Sequence, residues 1–415
     1  MKRTLLSFAA ICLGLVALAQ EITVDLSMTP SYANQVYYKL STQTANSYAA
    51  NSWDLAFLRT GAFNIGIRVN DHAGIEVFEV SDNPSDWNTI QIADQSSWIQ
   101  LYNSETSWNG AFDNGSASYG FGEYNPVNHH VEGSVIFVLK YTDGTYRKFM
   151  NEDVYNGYTF KYATWDAGTT TWSADTTVTL ANSNNPNNTY NFYSLVNGAE
   201  VVAQPATADW DFVFTKYISD YYGDGSLYWP VTGVLHSDQV SVAQNEETSG
   251  MPTVPSLTYS EEINTIGWDW KSYVSSTFNV DPTQAYYIKY EDNSVYRMYF
   301  VDFDGSSTGG VSFTFENVTT TLGIEDVTEN ITFGMYPNPS LDKQVNLVYD
   351  VNTLESDKNK VAIYDITGAE VFRTQLSNNS GFYSKRLNLS NLQSGVYMVH
   401  FTSGNASITK KLVLK

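Results

Sequence analysis

Asp209–Tyr217 reads Asp-Trp-Asp-Phe-Val-Phe-Thr-Lys-Tyr, and Ser52–Arg59 reads Ser-Trp-Asp-Leu-Ala-Phe-Leu-Arg. Large apolar side chains alternate with others at period two, the pattern of a strand with one buried face. In both stretches a Trp-Asp pair opens the strand, and a Phe (Phe57 or Phe214) stands three residues beyond the Asp. One such strand constrains little. Two in matching surroundings constrain the whole chain, because they imply duplication.

The surroundings match. Val24–Ser27 and Tyr37–Leu40 precede the first stretch; Val178–Ala181 and Phe192–Leu195 precede the second. Downstream, Val138–Arg147 and Tyr287–Arg297 are alternating aromatic runs broken by Asp143-Gly144 and Asp292-Asn293. Tight hairpin turns need residues that tolerate positive φ, so both dipeptides predict hairpins. The offset is 157 residues between Asp54 and Asp211 and 149 between Lys140 and Lys289. Such near-constant spacing predicts two homologous β domains, at 20–175 and 176–317.

Aromatic residues make 15% of the 415-residue chain and charged residues only 16%, with no long Ala/Leu/Glu/Lys runs. That balance favours strands. Lys2 and Arg3, the apolar run Leu5–Val16 and Ala17-Leu18-Ala19 read as a signal peptide over 1–19, cut before Gln20. The run is too short to span a bilayer comfortably, and no later stretch predicts a transmembrane segment. The only cysteine, Cys12, lies in this leader, which excludes disulfides, thiolate metal sites and a cysteine nucleophile from the mature chain. Loss of Lys2 and Arg3 takes the formal charge from −22 to −24. Such an acidic surface excludes nucleic acid and anionic membranes as natural partners and suits solubility outside the cell.

Polar, aperiodic residues 318–332 read as a linker. Beyond them, 333–415 opens on Tyr336-Pro337-Asn338-Pro339 and carries a hairpin over Val361–Val371 turning at Gly368. A strand from Gly395 and a basic-apolar end with Lys410, Lys411 and Lys415 follow. Short alternating strands at close spacing predict an antiparallel, immunoglobulin-like β-sandwich. The fold class expected for the chain is therefore all-β, two tandem antiparallel β domains plus this sandwich.

The last module closely resembles the type A C-terminal sorting domain of the Bacteroidetes type IX secretion system. The resemblance rests on the Tyr-Pro-Asn-Pro opening, the Ile363-Tyr364-Asp365 hairpin with Gly368, the Gly395-Val396-Tyr397 strand and the terminal lysines. It implies the type IX machinery as partner, export across both membranes, and a secreted or outer-surface location. The two preceding units resemble the HmuY family of haem-binding proteins, through Trp53–Phe57 with Arg59, Gly267-Trp268, the Tyr287–Tyr299 hairpin and Gly309–Phe315. That resemblance implies an all-β fold and haem held by two axial histidines or methionines. The sequence departs from it where the second ligand is expected, at Ser272 and Tyr273.

An axial haem site needs imidazoles or thioethers facing a flat apolar slot. His72, His129 and His130 are the haem candidates, His72 in a turn and the doublet at the entrance to the first hairpin. Adjacent strand residues face opposite ways, so one member of the doublet at most can serve. The competing reading is exposed polar loop residues. His236 is expected to occupy a place in the second domain like that of His72 in the first. Met150 and Met298 are expected in the core.

Asp220–Gly225 offers carboxylates to calcium but lacks the spacing of a calcium loop, so a plain turn is expected. The irregular stretch Ser107–Val127 is the kind of loop on which binding sites sit. No nucleophile elbow, zinc-protease or phosphate-loop motif is present, and no enzyme is expected. The reading is an exported ligand-binding protein, with haem the family-implied ligand. The alternative is a structural or adhesive surface protein binding glycan or host protein.

Overall fold

The computed structural model describes residues 21–60, 64–248, 250, 255–319, 333–351, 360–365, 367–376, 381–403 and 406–415. The expected leader at 1–19 and most of the expected linker lie outside the described residues. Chain contacts separate two units, one running to Thr319 and the other following it. Both are built of antiparallel ladders joined by turns, with short 3-10 segments in the first, so the chain is all-β.

The first repeat lays down β1 (Ile22–Ser27), β2 (Asn34–Lys39), β3 (Thr44–Ala49), β4 (Leu55–Leu58), β5 (Ile67–Val69) and β6 (Glu76–Ser81). It continues with β7 (Ile99–Leu101), β8 (Gly122–Asn125), β9 (His130–Gly133), β10 (Ile136–Lys140), β11 (Tyr146–Val154), β12 (Gly157–Asp166) and β13 (Thr171–Trp172). The second supplies β14 (Thr176–Ala181), β15 (Tyr190–Ser194), β16 (Ala199–Val201), β17 (Phe212–Asp220), β18 (Tyr228–His236) and β19 (Val240–Glu246). It ends with β20 (Lys271–Val274), β21 (Thr277–Val280), β22 (Gln284–Tyr290), β23 (Val295–Phe303) and β24 (Gly310–Asn317). Both expected hairpin turns form, with positive φ at Gly144 and Asn293.

The repeats do not fold separately. β1 pairs with β24, Ile22 opposite Phe315, and β2 pairs with β17, Tyr38 opposite Phe212. Reciprocally, β14 pairs with β12, Leu180 opposite Tyr158, and β15 pairs with β4, Phe192 opposite Ala56. Each repeat lends its first three strands to the other. One lobe is therefore β4–β16; the other is β1–β3 with β17–β24. The boundary expected at 175/176 falls just before β14, and pairing runs straight across it. Period-two alternation specifies which face of a strand is buried, not which strand lies beside it.

Each lobe packs a large sheet on a small one. In the first, Leu55 and Phe57 of β4 meet Phe137, Phe149 and Phe160. In the second, Phe212 and Phe214 of β17 meet Tyr38, Ile288 and Phe313. Residues of opposite parity point out of the back of each small sheet. Ala56, Tyr190 and Phe192 on one side and Tyr37, Val213 and Tyr217 on the other cover the seam between lobes, with Trp108 packed against both groups. Met150 and Met298 are buried, as expected.

The Trp-Asp aspartates hold the exchange in register. Asp211 accepts Leu40 N–H and Lys39 Nζ, both at 2.8 Å, and the Tyr290 hydroxyl. Its own N–H donates to Tyr38 O at 2.8 Å, and Ser237 N–H donates to its carbonyl at 2.8 Å. Asp54 repeats the pattern: its N–H donates to Tyr193 O at 2.9 Å, Asn70 N–H to its carbonyl at 3.0 Å, and Val196 N–H to Oδ2 at 3.2 Å. Tyr141 lies beside Asp54 as Tyr290 lies beside Asp211; burial and the neighbouring carboxylate raise both phenols.

The unit after Thr319 contains β25 (Phe333–Tyr336), β26 (Gln344–Val351), β27 (Lys360–Tyr364), β28 (Glu370–Gln375), β29 (Gly381–Asn388), β30 (Gly395–Ser403) and β31 (Ala406–Leu414). Its sheets run β25-β26-β29 and β28-β27-β30-β31 around Leu347, Ile363, Leu387, Val399, Phe401 and Leu412. Asn338 grips the last strand, accepting Val413 N–H at 2.9 Å and donating to Lys411 O at 2.7 Å. Lys415 N–H donates to Ser340 O, and Lys410 Nζ to Phe333 O at 2.6 Å. Pro337 and Pro339 both follow cis peptide bonds, and Gly368 makes its turn at φ 82°.

Removing a carboxylate that satisfies buried donors is far more damaging than removing a surface pair. Asp211→Ala is expected to cost about 3–5 kcal/mol in a denaturant melt, because it strands Lys39 and the Leu40 amide. Asp54→Ala, with no lysine partner, should cost less.

Candidate functional site

His72 is 4% exposed and sits on the seam. Its Nε2–H donates to Tyr32 O at 2.6 Å, leaving Nδ1 to accept Lys216 N–H at 3.2 Å, with the Thr215 hydroxyl 3.0 Å away. Both ring nitrogens are used to join the lobes, so His72 does not fit an axial haem ligand. Burial, reinforced by Lys216 and opposed by the Tyr32 carbonyl, pulls its pKa to about 4.

His129 and His130 stand elsewhere, at the β8–β9 hairpin, and the cavity that His72 lines includes neither. His129 has φ 63° and places Nδ1 2.6 Å from the Tyr124 hydroxyl. His130 places Nδ1 2.7 Å from Asp153 Oδ1, and its ring stacks on Tyr155 at 4.5 Å. His236 is buried between the carbonyls of Ser237 and Glu262. Pairing of β4 with β5 and of β17 with β18 makes Val69, not His72, its counterpart in the first repeat. Among the described residues no three His, Cys, Asp or Glu side chains are grouped to hold a metal ion.

The seam encloses a small cavity of about 60 Å³ lined by Trp53, His72, Gln204 and Tyr217 among others. That is room for a few waters, not a porphyrin. Outside it the lobes part into a groove. One section of about 370 Å³ is lined by Asn64, Trp108, Tyr190, Trp210, Asp238 and Glu261. Asp238, Gln239 and Glu261 also line a second section of about 490 Å³, which reaches Lys289 and Tyr290. A third, of about 480 Å³, shares Gln239 and Tyr290 and ends at Lys39 and Asp292. Together these adjoining hollows make up the trough, the first lined by both lobes and the other two by the second lobe alone.

Its aromatic end is built around Trp108. Gly110 allows this: a Cβ there would stand 1.8 Å from Ile67 O. Asp113 then pins the loop by accepting Gly110 N–H at 2.6 Å and Ile67 N–H at 2.9 Å. Burial lifts the Asp113 carboxyl to about 6 against those bonds. Trp108 packs edge-on to Trp210 at 5.8 Å, lies 5.2 Å from the Arg68 guanidinium, and accepts the Tyr190 hydroxyl at its carbonyl. At the polar end, partial desolvation holds Asp238 above the ordinary carboxylate range; His236 opposes the shift and Glu261 adds to it. With Tyr190 and Trp210 buried, the trough offers the partly exposed Trp108 ring at one end and hydroxyl-accepting carboxylates and amides at the other.

Ser107–Val127 was legible as a site-bearing loop, and Trp108 is its contribution to the trough. Asp238 and Glu261 carry no sequence signal, since one follows a strand end and the other sits in a polar loop. Asp220–Gly225 is the plain turn expected: Asp220 Oδ2 accepts Gly225 N–H at 2.6 Å and Asp224 Oδ1 accepts Ser226 N–H at 3.0 Å. Ser272 and Tyr273 lie in the β20–β21 hairpin, Tyr273 64% exposed.

Residues 334–415 match the family model of the secretion system C-terminal sorting domain. The chain thus carries a type IX sorting domain and is a secreted or cell-surface protein. None of the curated proteins matches the chain. Among solved structures, apo PinO from Porphyromonas gingivitis is 11% identical, over 72% of this chain and 97% of that one, with a TM-score of 0.18. The BSP domain of a biofilm associated protein is 9% identical, over 95% of this chain and 81% of that one, with a TM-score of 0.20. Likenesses this low carry no argument about the first unit. No helix among the described residues is long and apolar enough to cross a membrane.

His72 gives the seam a defined pH response. The unfolded ring takes up a proton near its ordinary value of 6.5, whereas the folded ring waits until about pH 4. The unfolded state therefore binds more protons in that window, and stability falls as pH falls through it. The loss should reach about 3 kcal/mol by pH 4, and His72→Gln should flatten that slope in melts from pH 7 to pH 4.

Proposed function

We propose that this exported protein is an extracellular binding protein whose seam trough takes a neutral glycan. The observation that carries the reading is the section between the lobes, which sets the partly exposed Trp108 ring beside Asp238, Gln239 and Glu261. Sugar rings present weakly positive C–H bonds to the negative face of an aromatic ring. Their hydroxyls donate to carboxylates and amides. An anionic ligand would meet Asp238, Glu261, Glu291 and Asp292 on a chain of formal charge −22. A neutral sugar suits a hollow of this composition. The test is calorimetric titration of the full chain with neutral oligosaccharides found on a glycan array. Glu261→Gln should weaken binding about tenfold while leaving the circular dichroism spectrum unchanged. A blank array overturns the reading, and release of reducing sugar from the bound glycan would turn it into a hydrolase.

A second reading, haem or metal capture at the β8–β9 hairpin, draws on one contact. His130 Nδ1 is held by Asp153, the kind of carboxylate bond that fixes the tautomer of a ligating imidazole and raises its basicity. Haemin titration should then give a saturable Soret shift lost in His129→Ala/His130→Ala and kept in His72→Ala. A flat titration retires haem.

A further inference from the structure

The duplication supplies an internal control. β4–β5 and β17–β18 are equivalent hairpins, each opened by a Trp-Asp aspartate and each paired with the other repeat's second strand. Yet β4 and β5 have four and three residues, whereas β17 and β18 have nine each. The extra length leaves the core behind after Tyr217 and Val231, the last hairpin residues packed in the seam. It continues through Ser219 opposite Trp229 and Asp220 opposite Tyr228. The shared fold does not require this extension.

What the extension carries is aromatic and faces solvent. Tyr222 is 67% exposed, Trp229 54%, Tyr221 42% and Tyr228 41%. Single exposed apolar residues need no explanation, but a cluster on one projecting hairpin marks an interaction surface. The cluster is braced. Tyr102 of the other lobe stacks on Tyr228 at 4.0 Å and 10°, and Tyr221 stacks on Trp268 at 5.0 Å. Glu105 accepts the Ser219 hydroxyl at 2.6 Å and Asp220 N–H at 3.3 Å. Beneath the Tyr102–Tyr228 pair lies a pocket of about 510 Å³, with Gln100, Ser104, Asn114 and Asp220 in its wall. That is within the range of about 300–1,000 Å³ usual for small-molecule sites.

The chemistry of the wall selects the occupant. It contains no lysine or arginine, so nothing there pairs with a phosphate, sulfate or carboxylate. A purely apolar partner would cover the exposed Gln100 and Asn114 amides without new hydrogen bonds, at about 1–3 kcal/mol for each unsatisfied group. Asp220 Oδ1 is already buried and has no partner among the described residues, while Oδ2 is committed to Gly225. A hydroxyl donor is the group that Oδ1 lacks. We propose that the extended β17–β18 hairpin, with Tyr102 and the pocket below it, is a second neutral-glycan site, which stacks a sugar ring on Tyr228 and accepts a sugar hydroxyl at Asp220. It is separate from the trough and does not depend on it.

The test titrates the full chain with a panel of neutral hexaoses (malto-, cello-, manno- and chitohexaose) and compares two hairpin variants with one trough variant. Tyr228→Ala and the isosteric Asp220→Asn should each weaken one class of sites about tenfold, with melting unchanged in Asp220→Asn. Glu261→Gln should leave that class intact. Binding lost in Glu261→Gln but unaltered in both hairpin variants overturns the hairpin site and leaves the trough standing. Binding lost in the hairpin variants alone does the reverse. Absence of binding to every hexaose overturns both.

Discussion

A buried carboxylate fixes the assembly of the first unit. The Asp211 side chain is fully buried, and an ionised group in such a place is tolerable only if its lone pairs are filled. The donors that fill them are Lys39 and Leu40 from the end of β2 and Tyr290 from β22. Lys39 and Tyr290 lie 251 residues apart in the sequence. Docking β2 one residue out of register would turn its side chains to the wrong face and leave Asp211 without its amide partner. Asp54 imposes a similar condition on the other lobe through Tyr193, Val196 and Tyr141. Strand exchange is thus a requirement written into both Trp-Asp motifs.

The ligand-sized space follows from that exchange. Because each lobe borrows strands from the other repeat, the backs of the two small sheets are brought together. The aromatic side chains there, Trp108 and Trp210 foremost, close most of the seam and leave the trough where the lobes diverge. Residues from distant segments, such as Asn64, Tyr190 and Glu261, line one section of it. Two separately folded tandem domains would not place them together. The departures from symmetry are then informative, since a paired fold needs each feature twice. The long β17–β18 hairpin occurs once.

The unit after Thr319 obeys different constraints. It is a small sandwich whose opening Tyr336-Pro337-Asn338-Pro339 segment is tied to the last strand through Asn338 and Ser340. Both ends of the module are thereby locked into one structure, which ties the sequence landmarks of the sorting signal to each other. Gly368 supplies a turn that a side chain would strain, whereas Gly395 merely opens β30. The terminal lysines divide similarly, Lys410 bonding Phe333 O while Lys411 and Lys415 enter through their backbones.

Much of this was legible beforehand, for a physical reason. Period-two alternation, hairpin turns with Asp-Gly or Asp-Asn, and the sorting landmarks are local patterns, so the all-β class and the export route could be read from the residues alone. Strand partnership is not local. Trp53-Asp54 and Trp210-Asp211 announced equivalent strands, but only the tertiary structure decided that each would be completed by the opposite repeat. The same limit applied to the histidines: His72 looked like a free turn residue until the seam closed on both ring nitrogens. Asp238 and Glu261 had no pattern to show. The sequence by itself determined which elements exist and which faces they bury; the tertiary structure decided which elements meet, because buried donors and acceptors are matched across the whole chain.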